Sequence, residues 1–580
     1  MHRSFDPCPT RNRTSLGGRW EFAVGDAESP DGAFAGETDR MTVPGCWQTR
    51  ARYHDHHGVA WYRRTFHRPN AANVRLRFEA VAHEATVFVD GDRVASHAGG
   101  YTPFEAVLPD IDAGEHEVVV RVDSALDETT IPKQDTDWFP YGGITREVYV
   151  EELPDVFVED LRVEYDFEDD FEGNEEGSDG KNGERDAVAV EASVTVRNLG
   201  EAVERRVGVT VEGTEAATRV ELPPGTTTVT RSLTLEGIQR WSPSNPRLYD
   251  AVATVEGDDE GDAESSPSDE RRERVGFRDI AIEGRDIRIN GEPVEILGVN
   301  RHEDHPEHGH AQPARLMELD LDVLADLGAN AVRASHYPNH PRFLDYCDEA
   351  GLLVIEEIPY WQFGPEQFER DGILAAGQRR LGELIERDYH HPSVFAWSLH
   401  NECATDTDAV YEATAALAGT AREHDATRPL TYATNTDYEG GEERCDGLVD
   451  FLCCNAYWGW YDDSRTWEEY LDGMADRYEV PLVLSEFGAG AVAGERTFER
   501  QKWSERYQTD LLVDAIAAVR DHDAVSGFTI WQYCDTRTQP SGFAGRPKTK
   551  NNKGIVTEYR QPKDAFGAVR DLLSGDESPR

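Results

Sequence analysis

The sequence predicts a multidomain protein of β plus α/β class. An amino-terminal jelly-roll-like β-sandwich is expected over residues 1–152, an immunoglobulin-like β-sandwich over 153–278 and a carboxyl-terminal (β/α)8 TIM barrel over 279–580. Three observations carry this prediction. Period-two alternation of apolar and polar residues recurs in short runs before residue 279, bounded by Gly and Pro turns. After it, short apolar runs alternate with helical stripes. The last segment, about 302 residues of the 580, fits eight βα units of roughly 38 residues each.

In the first segment Leu76, Phe78 and Ala80 alternate with Arg75, Arg77 and Glu79, ATVFVDG ends at an Asp90–Gly91 turn, and HEVVVRVD (116–123) is another strand of the same kind. In the second, Val188, Val190, Ala192, Val194 and Val196 form one face and Val207, Val209 and Val211 another. Two acidic stretches, 166–186 and 256–273, read as solvated surface loops because they hold too little apolar surface to bury. In the third, Leu316, Leu319, Val323, Leu324 and Leu327 form a helical stripe, followed by the strand Ala331–Val332 and a helix near 340–350. Further strands are expected at 352–357, 394–399, 450–457, 480–487 and 527–533.

Composition excludes several functions. A formal net charge of −53 opposes binding to nucleic acid, which requires clustered cations. The longest apolar runs, about eight residues, fall far short of the roughly 20 that cross a bilayer, so no membrane association is expected. MHRSFDPCPTRNRTS shows no apolar core of a signal peptide. Of 59 basic residues only seven are lysines, and this acidic, lysine-poor surface points to a salt-rich cytosol that screens self-repulsion. The eight cysteines lack regular spacing and read as reduced thiols of a cytoplasmic protein.

Chemistry in such barrels collects at the carboxyl ends of the strands. There VFAWSLHNE supplies His400, Asn401 and Glu402, VPLVLSE supplies Glu486, FLCCNAYWGWY supplies Asn455, Tyr457, Trp458, Trp460 and Tyr461, and GFTIWQY supplies Trp531. Two carboxylates on separate strands among aromatics and amides suit the cleavage of a sugar acetal. One carboxyl protonates the leaving oxygen while the other meets the oxocarbenium-like centre. Taken singly, either glutamate could as well be an arginine partner at the barrel top.

With these segments in hand, the chain resembles glycoside hydrolase family 2, the group of β-galactosidases, β-mannosidases and β-glucuronidases, along nearly its whole length. LGGRWEFAVG (16–25), VPGCWQ (43–48) and HAGGYTPFEA (97–106) resemble the family's sugar-binding-like sandwich. WSPSNPRLYD (241–250) and VGFRDI (275–280) resemble the end of its immunoglobulin-like domain. INGEPVEILGVNRHEDHPEHG (289–309), NAVRASHYPN (330–339) and DYHHPSVFAWSLHNE (388–402) resemble its barrel signatures. The resemblance implies Glu402 as general acid/base, Glu486 of Ser-Glu-Phe-Gly as nucleophile, and a retaining mechanism with carboxyl groups roughly 5–5.5 Å apart.

The glucuronidase branch carries an Asn-x-Lys motif that holds the substrate carboxylate, matched here by Asn551 and Lys553 in KTKNNKGIVT (548–557). An arginine often found just before that motif has Arg546 one position away. NAYWGWY (455–461), SEFGAGAVAGE (485–495) and DWFPYGGITREV (137–148) also resemble that branch. The implied roles are Asn401 on the 2-hydroxyl, Tyr457 supporting the nucleophile, Tyr461 and Trp531 shaping the pocket, Asn455 beside them, Asp137 reaching in from the first domain and His302 lining the pocket after the first barrel strand. The reading is thus an exo-acting β-glucuronidase on a small-molecule glycoside or oligosaccharide. β-Galacturonidase shares the clamp, and β-galactosidase and a silent carbohydrate-binding protein are the remaining alternatives. Members commonly form dimers or tetramers, so a homo-oligomer is an implied partner.

Other candidates carry less. His302, His305, His308 and His310 fall within nine residues but match no zinc spacing, so no metal and no cofactor is expected. His336 reads as pocket-lining or structural, and RYHDHHG (52–58) as an exposed turn. Lys548, Lys550 and Lys563 read as a locally basic surface loop.

Overall fold

A computed structural model describes residues 2–68, 72–167, 186–257, 267–497, 499–539 and 546–574. Period-two alternation becomes strand wherever one face can be buried. In the first segment a six-stranded antiparallel sheet runs, in spatial order, Asp39–Val43, Gly18–Val24, Val59–Arg68, Gly114–Asp123, Glu84–Val89 and Asp92–Ala98. It packs on a four-stranded sheet of Arg13–Ser15, Val148–Leu153, Ala72–Phe78 and Phe104–Ile111. Leu76 and Phe78 meet Val87, Val118 and Val120 in the core between the sheets. The Asp90–Gly91 turn has positive φ at both residues, 50° and 92°, which matches the twist of a tight hairpin.

The second segment pairs a three-stranded sheet (Val156–Phe167, Asp186–Asn198, Gly225–Ile238) with a four-stranded one (Thr214–Leu222, Val203–Val211, Tyr249–Glu256, Pro267–Val275). The two valine faces read from the sequence meet in its core. The loop expected over 256–273 is corrected in its last part, because Pro267–Val275 is a strand. Its acids hid it. Asp269 is buried because Arg11 bonds it at 2.7 and 2.9 Å, and Glu273 is buried against Arg3 at 3.4 Å, so buried acidic positions of this strand bind arginines rather than apolar neighbours. Most of both acidic stretches, 168–185 and 258–266, lies outside the described residues.

The third segment closes an eight-stranded parallel barrel: β1 (Ile296–Asn300), β2 (Ala331–Ala334), β3 (Leu353–Glu357), β4 (Val394–Asn401), β5 (Leu430–Thr434), β6 (Leu452–Asn455), β7 (Leu482–Glu486) and β8 (Val525–Ile530). β5 was absent from the strands read from the sequence. LTYAT is only five residues long and three of them are Thr or Tyr, which leaves a weak apolar run. The helical stripe 316–327 is also revised. Leu316, Leu324 and Leu327 are buried, Val323 only partly, and Leu319 is exposed. The buried acid of that helix, Asp320, is held by Arg301 and Arg560, each at 2.9 Å.

Alternation along the barrel strands places the functional layer. Ile296, Ala331, Leu353, Ile355, Phe451, Cys453 and Val483 fill the lower interior. Two residues further along, the same faces carry Arg333, Glu357, Asn455 and Ser485, and Asn300 ends β1. The barrel therefore has an apolar floor and a polar upper layer.

Candidate active site

Glu486 ends β7 and Glu402 follows the last residue of β4, so both stand at the carboxyl rim of the barrel. Glu402 has φ of 51°, a left-handed conformation that costs a β-carbon residue about 1 kcal/mol and is held by its backbone N–H donating to the Ala433 carbonyl at 2.8 Å. Gly488 is required two residues after Glu486. A β-carbon there would lie 2.2 Å from the Trp531 carbonyl oxygen, so Ser-Glu-Phe-Gly is a packing motif as well as a chemical one.

Arg333 organises this end of the pocket. Its guanidinium donates to Glu486 Oε1 at 2.8 Å, Asn401 Oδ1 at 2.8 Å, Asn300 Oδ1 at 2.9 Å and both oxygens of Glu357, the nearer at 2.7 Å. Tyr457 donates its hydroxyl to the other oxygen of Glu486 at 2.7 Å. Among the described residues Glu402 accepts only from amides, Gln362 Nε2 at 2.9 Å and Asn455 Nδ2 at 2.9 Å. Asn455 also donates to Asn401 Oδ1 at 3.1 Å and accepts from Ser485 at 2.7 Å. With its oxygen doubly occupied, Asn401 keeps Nδ2 buried without a partner among the described residues, aimed from the layer that holds both carboxyl groups.

These contacts set the charge of the pair. Burial, followed by the charge of Glu402, pushes Glu486 up to about 8. Burial likewise raises Glu402. A carboxyl group raised by the charge of its neighbour titrates together with it, so one proton is retained between them near neutrality. The donors locate it. Glu486 faces a guanidinium and a phenol, which favour the anion, whereas Glu402 faces neutral amides. These donors favour the charge on Glu486 and the proton on Glu402. Glu357, despite its burial, is brought down to about 2, chiefly by Arg333, so it stays ionised and anchors that cation.

Aromatic side chains wall the remainder. Trp531 lies edge-on to His302 at 5.3 Å and stacks on His336 at 5.0 Å, and Trp138 packs against both imidazoles. Burial lowers the titration of His302 and His336, so both rings are neutral. His302 and His310 are each engaged with Tyr337. His400 turns away from the pocket, bonded to Thr414 at 3.0 Å and stacked on Tyr432.

The far wall comes from loops. Asn551 ends, and Lys553 follows, a two-stranded pairing of Thr536–Arg537 with Lys550–Asn551. Asp137, on the segment joining two strands of the first sandwich, accepts from Asn551 Nδ2 at 2.8 Å and pairs with Arg546 at 2.8 Å. That segment is fixed to the barrel by Tyr141 donating to Asp304 at 2.9 Å and by Arg146 pairing with Glu303 at 3.2 Å. Lys553 is only 4% exposed. Its ammonium donates to the Tyr461 hydroxyl at 2.7 Å and lies 4.9 Å from the Tyr457 ring centre. Among the described residues no carboxylate comes within ion-pair distance of it. Tyr461 itself is 59% exposed and marks the mouth. Lys563, expected in a surface loop, is instead buried, bonded to Asp535 at 2.7 Å and to the carbonyls of Ala491 and Asn552. Lys550 pairs with Glu558.

The structure thus brings together Glu402, Glu486, Asn401, Asn455, Tyr457, Tyr461, Trp531, Asn551, Lys553, Asp137 and His302 around one pocket. Arg333, Glu357, Asn300, Ser485 and Gln362 belong to it and were not singled out in the sequence. Their signal was present in part: an arginine inside the apolar run AVRA, and the acids ending LLVIEE, have no place in a barrel wall unless the upper interior is polar.

A closed (β/α)8 barrel with two carboxyl groups at its rim, a half-buried one among amides and a buried one on a cation, is the construction of a glycoside hydrolase. The comparisons agree. A model of the TIM barrel domain of glycosyl hydrolases family 2 matches residues 280–575, the family's sugar binding domain matches 13–154, and a further family 2 model matches 156–278. The chain belongs to glycoside hydrolase family 2. It is 28% identical to a β-glucuronidase of Paenibacillus borealis, covering 97% of this chain and 96% of that one, and 27% identical to the β-glucuronidase of Homo sapiens, covering 97% and 91%. Among solved structures, a family 2 β-galacturonidase from Eisenbergiella tayi bound to galacturonate superposes with a TM-score of 0.88 at 34% identity, covering 99% of both chains. A β-glucuronidase from Ruminococcus gnavus in complex with D-glucaro 1,5-lactone gives 0.84 at 28% identity, covering 97% of this chain and 98% of that one.

Proposed function

We propose that the protein is a retaining, exo-acting β-glucuronidase. The observation that carries the uronide assignment is Lys553, a buried ammonium with no carboxylate of the described residues as partner, beside the Asn551 amide. An uncompensated buried charge is destabilising by about 3–5 kcal/mol, and in a chain with 112 acidic residues it is readily paired. Its retention supports an anion supplied by the substrate, the C6 carboxylate of a terminal uronic acid.

The reaction then follows the donors. Glu486, ionised on Arg333 and Tyr457, attacks the anomeric carbon and forms a glycosyl ester. Glu402 gives its proton to the departing oxygen. Once Glu486 is esterified its charge is gone, so the titration of Glu402 falls and it accepts a proton from the incoming water. Asn401 Nδ2, unpartnered and buried, is the donor for the 2-hydroxyl, a contact that strengthens in the transition state. The buried thiols, all eight unpaired, support a reducing compartment such as the cytoplasm.

β-Galacturonidase is the second reading. It is favoured by the 34% identity to the Eisenbergiella tayi enzyme, and the clamp addresses C6 without fixing the configuration at C4. Initial rates on p-nitrophenyl β-glucuronide, β-galacturonide and β-galactoside, in molar KCl, decide the matter. The proposal expects the glucuronide to be hydrolysed fastest, with the β-anomer as first product. Faster galacturonide hydrolysis would exchange it for the second reading, and galactoside as the best substrate would overturn both.

A further inference from the structure

A second lysine approaches Glu402 through Gln362. Lys133 comes from the first sandwich, on the same inserted segment as Asp137, and donates to the Gln362 backbone carbonyl at 2.6 Å. Gln362 has φ of 53°, and its side chain donates to Glu402 Oε2 at 2.9 Å. Lys133 thus stands one residue away from the group that protonates the leaving oxygen. Its ammonium lies 5.9 Å from the ring centres of both Trp361 and Phe363.

Lysine is scarce here, seven residues in 580. Lys550 and Lys563 meet carboxylates. Among the described residues Lys133, Lys502, Lys548 and Lys553 do not, and of these Lys553 lies against Tyr457 and Tyr461 while Lys133 reaches Gln362, the partner of Glu402. The group that leaves must lie beside Glu402, whose partner Gln362 is the residue Lys133 holds.

Resting on the glycosidase reading above, we propose that Lys133 forms a leaving-group subsite for anionic aglycones. The substrates it favours carry a carboxylate or sulfate close to the scissile bond, as in an acidic oligosaccharide. A rim charge facing an exposed anion is worth a several-fold preference, because solvent screens it.

The test compares 4-carboxyphenyl β-glucuronide with its methyl ester, which separates aglycone charge from glycone recognition. The kcat/KM ratio of acid to ester is measured for the wild type, Lys133→Gln and Lys133→Arg. Taking the ratio of each variant to the wild type cancels the different acidities of the two phenols. Lys133→Gln is expected to lower the acid-to-ester ratio about 3- to 10-fold, and Lys133→Arg to restore most of it. Any loss common to both substrates reports displacement of Gln362 and leaves the ratio informative. An unchanged ratio in Lys133→Gln, with either substrate still turned over, overturns the proposal. Failure of the wild type to hydrolyse the ester at all would instead fault the glucuronidase reading.

Discussion

Glu402 and Glu486 stand at the carboxyl ends of barrel strands, whereas Asn551, Lys553 and Asp137 stand on segments outside the barrel strands, drawn from distant parts of the chain. At the strand end, alternation and barrel closure set the inward positions, and Arg333 ties four polar side chains to one point. At the loop end, geometry depends on the Asp137–Asn551 bond, which crosses between domains, and on the docking of Tyr141 and Arg146. Bond making is thus assigned to the rigid end and sugar choice to the assembled end. Specificity can then change while the two carboxyl groups keep their places.

The largest effects should come from the rigid end. Glu486→Gln is expected to reduce kcat by about 10⁴-fold or more on every aglycone, read in steady-state assays. Glu402→Gln should cost about 10²–10⁴-fold with a poor leaving group and far less with 2,4-dinitrophenol, which leaves without a proton. Equal losses for both leaving groups would contradict the assignment of the proton to Glu402.

Asp137→Asn sharpens the comparison from the other end. It weakens the hold on Asn551 and Arg546 without touching the carboxyl pair. The expected outcome is a roughly tenfold fall in kcat/KM for uronides, a cost of about 1.4 kcal/mol, carried mainly by KM.

The pH profile reports the pair directly. Activity needs one proton retained between the carboxyl groups, and Glu486 is pushed up to about 8, so the alkaline limb of kcat/KM should fall near pH 8. A limb near pH 5 would show ordinary, uncoupled carboxyl groups. The sign for stability follows. A carboxyl pair whose shared proton is held up to about pH 8 in the fold adds nothing adverse at low pH and destabilises the fold as pH rises from about 4.5 toward 8. Glu486→Gln removes that cost, so its unfolding temperature should gain on the wild type between pH 5 and 8.

The smallest effect concerns salt. Dilution from molar KCl restores the self-repulsion of a −53 chain. The interdomain contacts at the loop end should loosen first, so KM for a uronide is expected to rise before the circular dichroism signal falls. A KM and a spectrum both indifferent to salt would remove the high-salt expectation.

The sequence displayed the rigid end well because strand ends follow simple periodicities. Glu402, Asn401, Asn455 and Glu486 were all readable as polar residues where a strand has no need of them. Arg333 and Glu357 were harder, since a charge inside a strand is interpretable only once the facing layer is known. The loop end was legible only through resemblance. No local pattern tells that Asp137 meets Asn551 across 414 positions, or that Lys553 is buried facing the pocket while Lys563 is buried against Asp535. The misread strand Pro267–Val275 teaches the same lesson, because its acids are buried by arginines from the first dozen residues.

The most direct test of the division between chemistry and choice is Lys553→Ala, assayed on p-nitrophenyl β-glucuronide and β-galactoside together. Loss of a buried charge partner for the substrate carboxylate should lower glucuronide kcat/KM by about 30- to 10³-fold. Any weak galactoside turnover should change little. Equal losses on both substrates, or none on either, would contradict the assignment of Lys553 to the C6 carboxylate.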